Sequence, residues 1–167
     1  MRITLPLLIG LSFLTFATVN SSAQEREITF ILVRHAEKVD DSADPELSPT
    51  GKERAERLVR TIGRYRPGAF YSTDYKRTRD TIAPLAKKRK KEVQIYDPRK
   101  PQELIDNILK SGTKRFLISG HSNTVPILAN LISKKELFKN LVDSEYSVIW
   151  VIKVKRGKVV KFELLDY

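Results

Sequence analysis

Residues 28–33, Ile-Thr-Phe-Ile-Leu-Val, form an unbroken apolar and β-branched run. Such a strand must be covered on both faces, and that is the condition of a strand inside a sheet with helices above and below. The rest of the chain agrees. Over residues 50–62 the apolar positions Ala55, Leu58, Val59 and Ile62 recur at spacings of three and four among Lys, Glu and Arg, which predicts an amphipathic helix. A short strand is expected at 69–71. Ser72, Thr73 and Asp74 then offer capping chemistry to a helix over about 75–90, with Pro84 inside it as a bend or interruption. Residues 93–96 read as a strand, and 101–109 as a helix closed by Gly112. Residues 115–119 are a strand leading into an apolar helix at 125–132. Segments 147–154 and 159–164 flank Arg156-Gly157-Lys158, a hairpin signal. Alternating strand and helix patterns predict a three-layer α/β/α sandwich around a mainly parallel sheet, in one domain over residues 24–167.

Residues 1–23 read as an export signal, with cleavage expected after Ala23. Arg2 precedes an apolar stretch at 3–19, and Asn20, Ser21, Ser22 and Ala23 supply small residues at the cleavage site. Pro6, Gly10, Ser12 and Thr15 interrupt the stretch, which falls short of the roughly 20 strongly apolar residues of a spanning helix. No stable membrane anchor is therefore expected after cleavage, and the location is periplasmic or extracellular. Cleavage removes one cation, so the net charge falls from +11 to +10 on 144 residues. That balance concentrates anionic ligands and says nothing of fold. The chain has no cysteine, which excludes thiolate metal sites, disulfides and cysteine nucleophiles.

The chain holds two histidines, and each follows a predicted strand: His35 after 28–33 and His121 after 116–118. In open α/β sheets, ligands bind beyond the carboxyl ends of the strands. Arg34 stands beside His35, and Arg77 begins the helix just past another strand end. Guanidinium groups at such an edge suit an anion with oxygens to bind in pairs. His35-Ala36-Glu37 has the His-x-Glu spacing of zinc deaminases, but the cysteine ligands are missing, so no metal or cofactor is expected. The cationic run at 87–91 is assigned to a helix end, and without interleaved aromatics it gives no ground for a nucleic-acid partner.

Leu32-Val33-Arg34-His35-Ala36-Glu37-Lys38 resembles the strand-plus-Arg-His signature of the histidine phosphatase superfamily, also called phosphoglycerate mutase-like, with Ala36 where Gly is frequent. Leu47 to Gly51 resembles the segment opening that family's first helix. Tyr71-Ser72-Thr73 through Arg77, Thr78 and Thr81 resembles its second motif, and Gly120-His121-Ser122-Asn123 its third. The resemblance implies a short branch-1-type, metal-independent phosphatase acting on small phosphomonoesters, with His35 as the nucleophile that becomes a phosphohistidine. Arg34, Arg77 and His121 would stabilise the transferring phosphoryl group, and Ser122 and Asn123 would bind substrate or cap the last helix. A phosphohistidine protein phosphatase and a non-catalytic anion-binding envelope protein are the alternatives. The long acidic segment of the mutases is absent. The general acid is left between Asp97, at the end of the 93–96 strand, and its rivals Glu37 and Glu103. A plain turn role for Asp97 before Pro98 is as good a reading.

Overall fold

The computed structural model describes residues 26–167. The export signal expected over 1–23 lies outside them. Six strands and four α-helices alternate: β1 Glu27–Arg34, α1 Pro49–Ile62, β2 Ala69–Ser72, α2 Lys76–Lys88, β3 Val93–Ile95, α3 Pro101–Lys110, β4 Arg115–Gly120, α4 Thr124–Ser133, β5 Val148–Lys155 and β6 Lys158–Asp166. The sheet order is β3-β2-β4-β1-β5-β6. The pairs β1 with β4, β2 with β4 and β2 with β3 are parallel, whereas β5 and β6 are added antiparallel. The sheet is therefore mixed, with its parallel part at the centre and on one side.

Every residue of β1 after Glu27 is buried, as its sequence demands. Its side chains alternate between two cores. Ile28, Phe30 and Leu32 pack with Leu104, Ile108, Leu128 and Ala129 of α3 and α4. Ile31 and Val33 pack with Leu58 and Ile62 of α1 and with Ile82 and Leu85 of α2. Burial of each such side chain is worth about 1.5–3 kcal/mol, and helices cover both faces, giving the three layers. Among the described residues no helix is long and apolar enough to cross a membrane.

The local chemistry departs from expectation at several helix ends. The Ser48 side chain accepts a hydrogen bond from the Gly51 amide, and Pro49 takes the first helical position, so α1 starts one residue early. The N-cap of α2 is Tyr75, which makes no side-chain cap bond. Instead Asp44, from a distant loop, accepts from the Lys76 amide at 2.8 Å. Pro84 sits within an unbroken α2. Ser111, not Gly112, closes α3. The β5–β6 hairpin turns on Arg156 and Gly157, both at positive φ, the type I′ geometry whose twist matches the strands.

Candidate active site

The register places the site. Arg34 lies opposite Gly120 on the paired strands β1 and β4, so the next residues, His35 and His121, leave the sheet side by side. The His35 amide donates to the Gly120 carbonyl at 2.9 Å. The two imidazole centroids are 5.4 Å apart, edge to face. On the other side of β4, Ser72 of β2 pairs with Ser119, which brings Thr73 beside His121. Arg77, in the first turn of α2, completes the set. Arg34, His35, Arg77, His121 and Ser122 line one cavity of about 360 Å³, together with Lys38, Asp41, Ser42, Pro45, Asp143 and Tyr146.

The tautomer of His35 follows from its partner. Nδ1 lies 2.8 Å from the Ala36 carbonyl oxygen. A carbonyl only accepts, so Nδ1 carries the proton and Nε2 keeps its lone pair. Burial pushes the ring down to about 3; the Ala36 bond works upward, and His121, Arg77 and Arg34 add to the fall. The imidazole is thus neutral and nucleophilic at Nε2 across the physiological range. His121 is lowered to about 4 by burial and then by Arg77 and Arg34. Its Nε2 lies 2.9 Å from the Thr73 hydroxyl oxygen, and that hydroxyl donates onward to Thr78 at 3.0 Å. His121 Nε2 therefore donates to Thr73, and Nδ1 is the nitrogen left for a ligand. The Thr124 hydroxyl accepts from the His121 amide at 2.8 Å and fixes the turn.

Both arginines are held from behind. Nη1 of Arg34 donates to the backbone carbonyls of Val142, Asp143 and Glu145, and its guanidinium carbon stands 4.2 Å from the Tyr146 ring centroid. Arg77 stacks in the same way on Tyr75, at 4.4 Å. Each tyrosine also touches a histidine: Tyr146 is 6.1 Å from His35 and Tyr75 is 5.0 Å from His121. Two buried guanidinium donors in this group, Arg34 Nε and Arg77 Nη1, have no hydrogen-bond partner. Buried charge-bearing donors are expensive to leave unmade, and an anion's oxygens are the natural complement.

Some sequence expectations fail here. Asp97 does not line this cavity. It lines a separate hollow with Tyr96, Lys100 and Glu103, because β3 is the outermost strand, with β2 and β4 between it and β1. Its carboxylate is bound by the Arg99 side chain and amide, which hold it down to about 2. Glu103 lies in that same hollow, 3.5 Å from Lys100. Burial raises the Glu37 carboxyl, but hydrogen bonds from Arg54 outweigh it, so the net shift is downward. Asn123 is exposed, lines no part of the cavity and makes no capping bond. Tyr75, Tyr146 and Asp143 are contributions that motif spacing alone did not single out, and Thr73, quoted with the second motif, turns out to be the partner of His121. Among the described residues no group of three or more His, Cys, Asp or Glu is placed to hold a metal ion.

Residues 30–98 match the family model of the histidine phosphatase superfamily, branch 1. No curated protein matches the sequence. Among solved structures, the mycobacterial glucosyl-3-phosphoglycerate phosphatase superposes with a TM-score of 0.66 at 11% identity, over 85% of this chain and 99% of that one. The Agrobacterium tumefaciens protein assigned as the phosphohistidine phosphatase SixA gives 0.63 at 19% identity, over 81% and 97%. The Entamoeba histolytica phosphoserine phosphatase bound to 3-phosphoglyceric acid gives 0.61 at 15%, over 81% and 96%. At such identities these are likenesses of fold. The family match, over less than half of the chain, covers the first two motifs, and the fold resembles that of these solved phosphatases.

Proposed function

We propose that the chain is an exported, metal-independent phosphatase that hydrolyses phosphomonoesters through a phosphohistidine on His35. The match of residues 30–98 to the histidine phosphatase family model supports phosphatase activity at the coarser level. The observation that carries the mechanism is the cavity itself, where a neutral imidazole with a free Nε2 faces two arginines that each keep a buried donor without a hydrogen bond, Arg77 Nη1 having only Asp44 at 3.9 Å. In the first step the Nε2–phosphorus bond forms as the bond to the leaving oxygen breaks in line, and the leaving oxygen takes up a proton from solvent water. In the second, water attacks phosphorus, the Nε2–phosphorus bond breaks, and phosphate departs with His35 restored. Arg34 and Arg77 stabilise charge on the equatorial oxygens throughout. An arriving dianion raises the affinity of His121 for a proton, so that its Nδ1 becomes a third donor.

A second reading is favoured by one observation. The carboxylates lining the cavity, Asp41 and Asp143, are exposed, one paired with Lys38 and the other 3.9 Å from Arg34. Neither stands in an apolar enclosure. Leaving groups that depart without a strong acid therefore suit this site best, a phosphorylated imidazole among them, which is the chemistry of a phosphohistidine phosphatase.

The test uses residues 24–167 with p-nitrophenyl phosphate in EDTA, beside His35→Ala. Turnover in EDTA that the variant loses, with acid-labile, base-stable phosphate trapped on the wild type, is expected. Turnover that needs added metal, or that survives in His35→Ala, overturns the mechanism. An inactive but folded wild type that still binds phosphate would make the chain a binding protein. Asp97→Asn should leave turnover of both nitrophenyl and alkyl esters within about twofold, as befits a surface carboxylate; a selective loss on alkyl esters would restore it as the acid. Faster turnover of phosphohistidine than of alkyl esters would favour the second reading. Export is tested by N-terminal sequencing of the protein recovered from outside the cytoplasm, expected to begin at Gln24.

A further inference from the structure

The opposite end of the sheet, where β1, β2 and β4 begin, has a surface chemistry of its own. The helices run against the parallel strands, so the C-termini of α3 and α4 come to this end, as does the β5–β6 turn, since Glu27 pairs with Lys155. A groove of about 1010 Å³ lies between α3, α4, the 134–139 segment and that turn. Its aliphatic rim is open to solvent: Leu109 is 46% exposed, Ile127 44% and Leu137 60%. Lys134, Lys135 and Lys139 stand among these side chains, with Glu136 the one acidic residue of the lining. On the other flank of the same end, Arg64, Lys114, Arg115 and Lys153 line a second hollow whose one acidic residue, Glu27, is paired with Lys153 at 3.2 Å.

We propose that this end docks reversibly on an anionic phospholipid surface. Aliphatic side chains exposed beside lysines are the two halves of interfacial lipid binding: the first enter the headgroup boundary, and the second meet the phosphates. A polyanion such as nucleic acid would use the lysines but has no use for Leu109, Ile127 and Leu137, and the aromatic residues of the lining, Phe30 and Phe138, are packed into the core rather than offered to bases. The orientation that follows is functional. An eight-residue β1 separates this end from His35 by roughly 25 Å, so a docked molecule turns its catalytic cavity toward solvent. The inference does not depend on the proposed reaction.

Residues 26–167 contain the whole sheet and both cores. A chain beginning at Gln24 is therefore the unit to test, which also removes 3–19 as a second route to lipid. Co-sedimentation with phosphatidylcholine vesicles is compared with vesicles that also contain phosphatidylglycerol. Binding to the anionic vesicles alone, weakened by salt, is expected. The pair Lys134→Glu with Lys135→Glu should lower the partition coefficient by at least about tenfold, each surface cation contributing roughly fivefold. Leu137→Asp should lower it too, and circular dichroism checks that both variants fold. The lysine variants should keep wild-type turnover of p-nitrophenyl phosphate without vesicles. Equal binding to both vesicle types, no binding at low salt, or binding that neither variant weakens would overturn the proposal. Duplex DNA binding as tight as vesicle binding, lost in the lysine variants but untouched by Leu137→Asp, would overturn it in favour of a polyanion.

Discussion

His35 carries a stability signature that can be measured without any substrate. An unfolded histidine takes up its proton near 6.5, whereas burial holds the folded one at about 3. Between those two values the unfolded chain binds a proton that the folded chain does not, so stability falls as pH falls through that window. From about pH 7 to about pH 4.5 the full displacement would cost the fold some 2.5 kcal/mol; with part of the ring still solvated, about 2 kcal/mol is the working figure. His35→Asn removes this titration while leaving the carboxylates and His121 to titrate in both proteins. Urea denaturation at the two pH values is the assay. The wild type should lose about 2 kcal/mol more than the variant, which for a domain of this size is several degrees of melting temperature. Parallel losses in the two proteins would mean that the folded His35 takes up its proton as readily as the unfolded one, and the argument that burial holds it neutral would fail.

Two further outcomes follow from the same geometry. Arg77→Ala should lower kcat/KM by about 10²–10³ and weaken product inhibition by phosphate, and Arg77→Lys should rescue little because a point charge cannot replace the fork stacked on Tyr75; full activity in Arg77→Ala would remove it from the site. Gly51→Ala would set a Cβ 2.2 Å from the Glu37 carbonyl oxygen, backbone against backbone, so a loss of about 3 kcal/mol is expected with reduced turnover, whereas Gly63→Ala, with nothing within 4 Å, should be neutral or slightly stabilising.

How far the sequence reaches into this site depends on which residues are fixed by local pattern. His35 and His121 were legible because each ends an apolar run, and parallel strands of one sheet deliver their last residues to one edge. Arg34 and Arg77 were legible for the same reason. Asp97 satisfied that rule too, and failed on a quantity the rule does not contain, the order of strands. At roughly 4.8 Å per strand, β3 lies about 14 Å from β1 across the sheet. No periodicity in residues 93–97 encodes that distance. The helix ends failed for a related reason, since the partner of the Lys76 amide is Asp44, 32 positions earlier.

The return of the chain from α4 to β5 makes the same point about function. Because β5 pairs antiparallel with β1, residues 134–147 must climb from the start of the parallel strands to their ends. The Leu141 amide donates to the Ser122 carbonyl, and Glu145 caps the turn by accepting from the Val142 amide. That turn aims three carbonyls at Arg34 and lays Tyr146 against both Arg34 and His35. Tyr146 is therefore part of the wall that shields the His35 ring. Burial is the largest cause of that ring's lowered proton affinity. The proposed nucleophile is marked by the residue before it, but the burial that lowers its proton affinity is supplied in part by a loop more than 100 residues away.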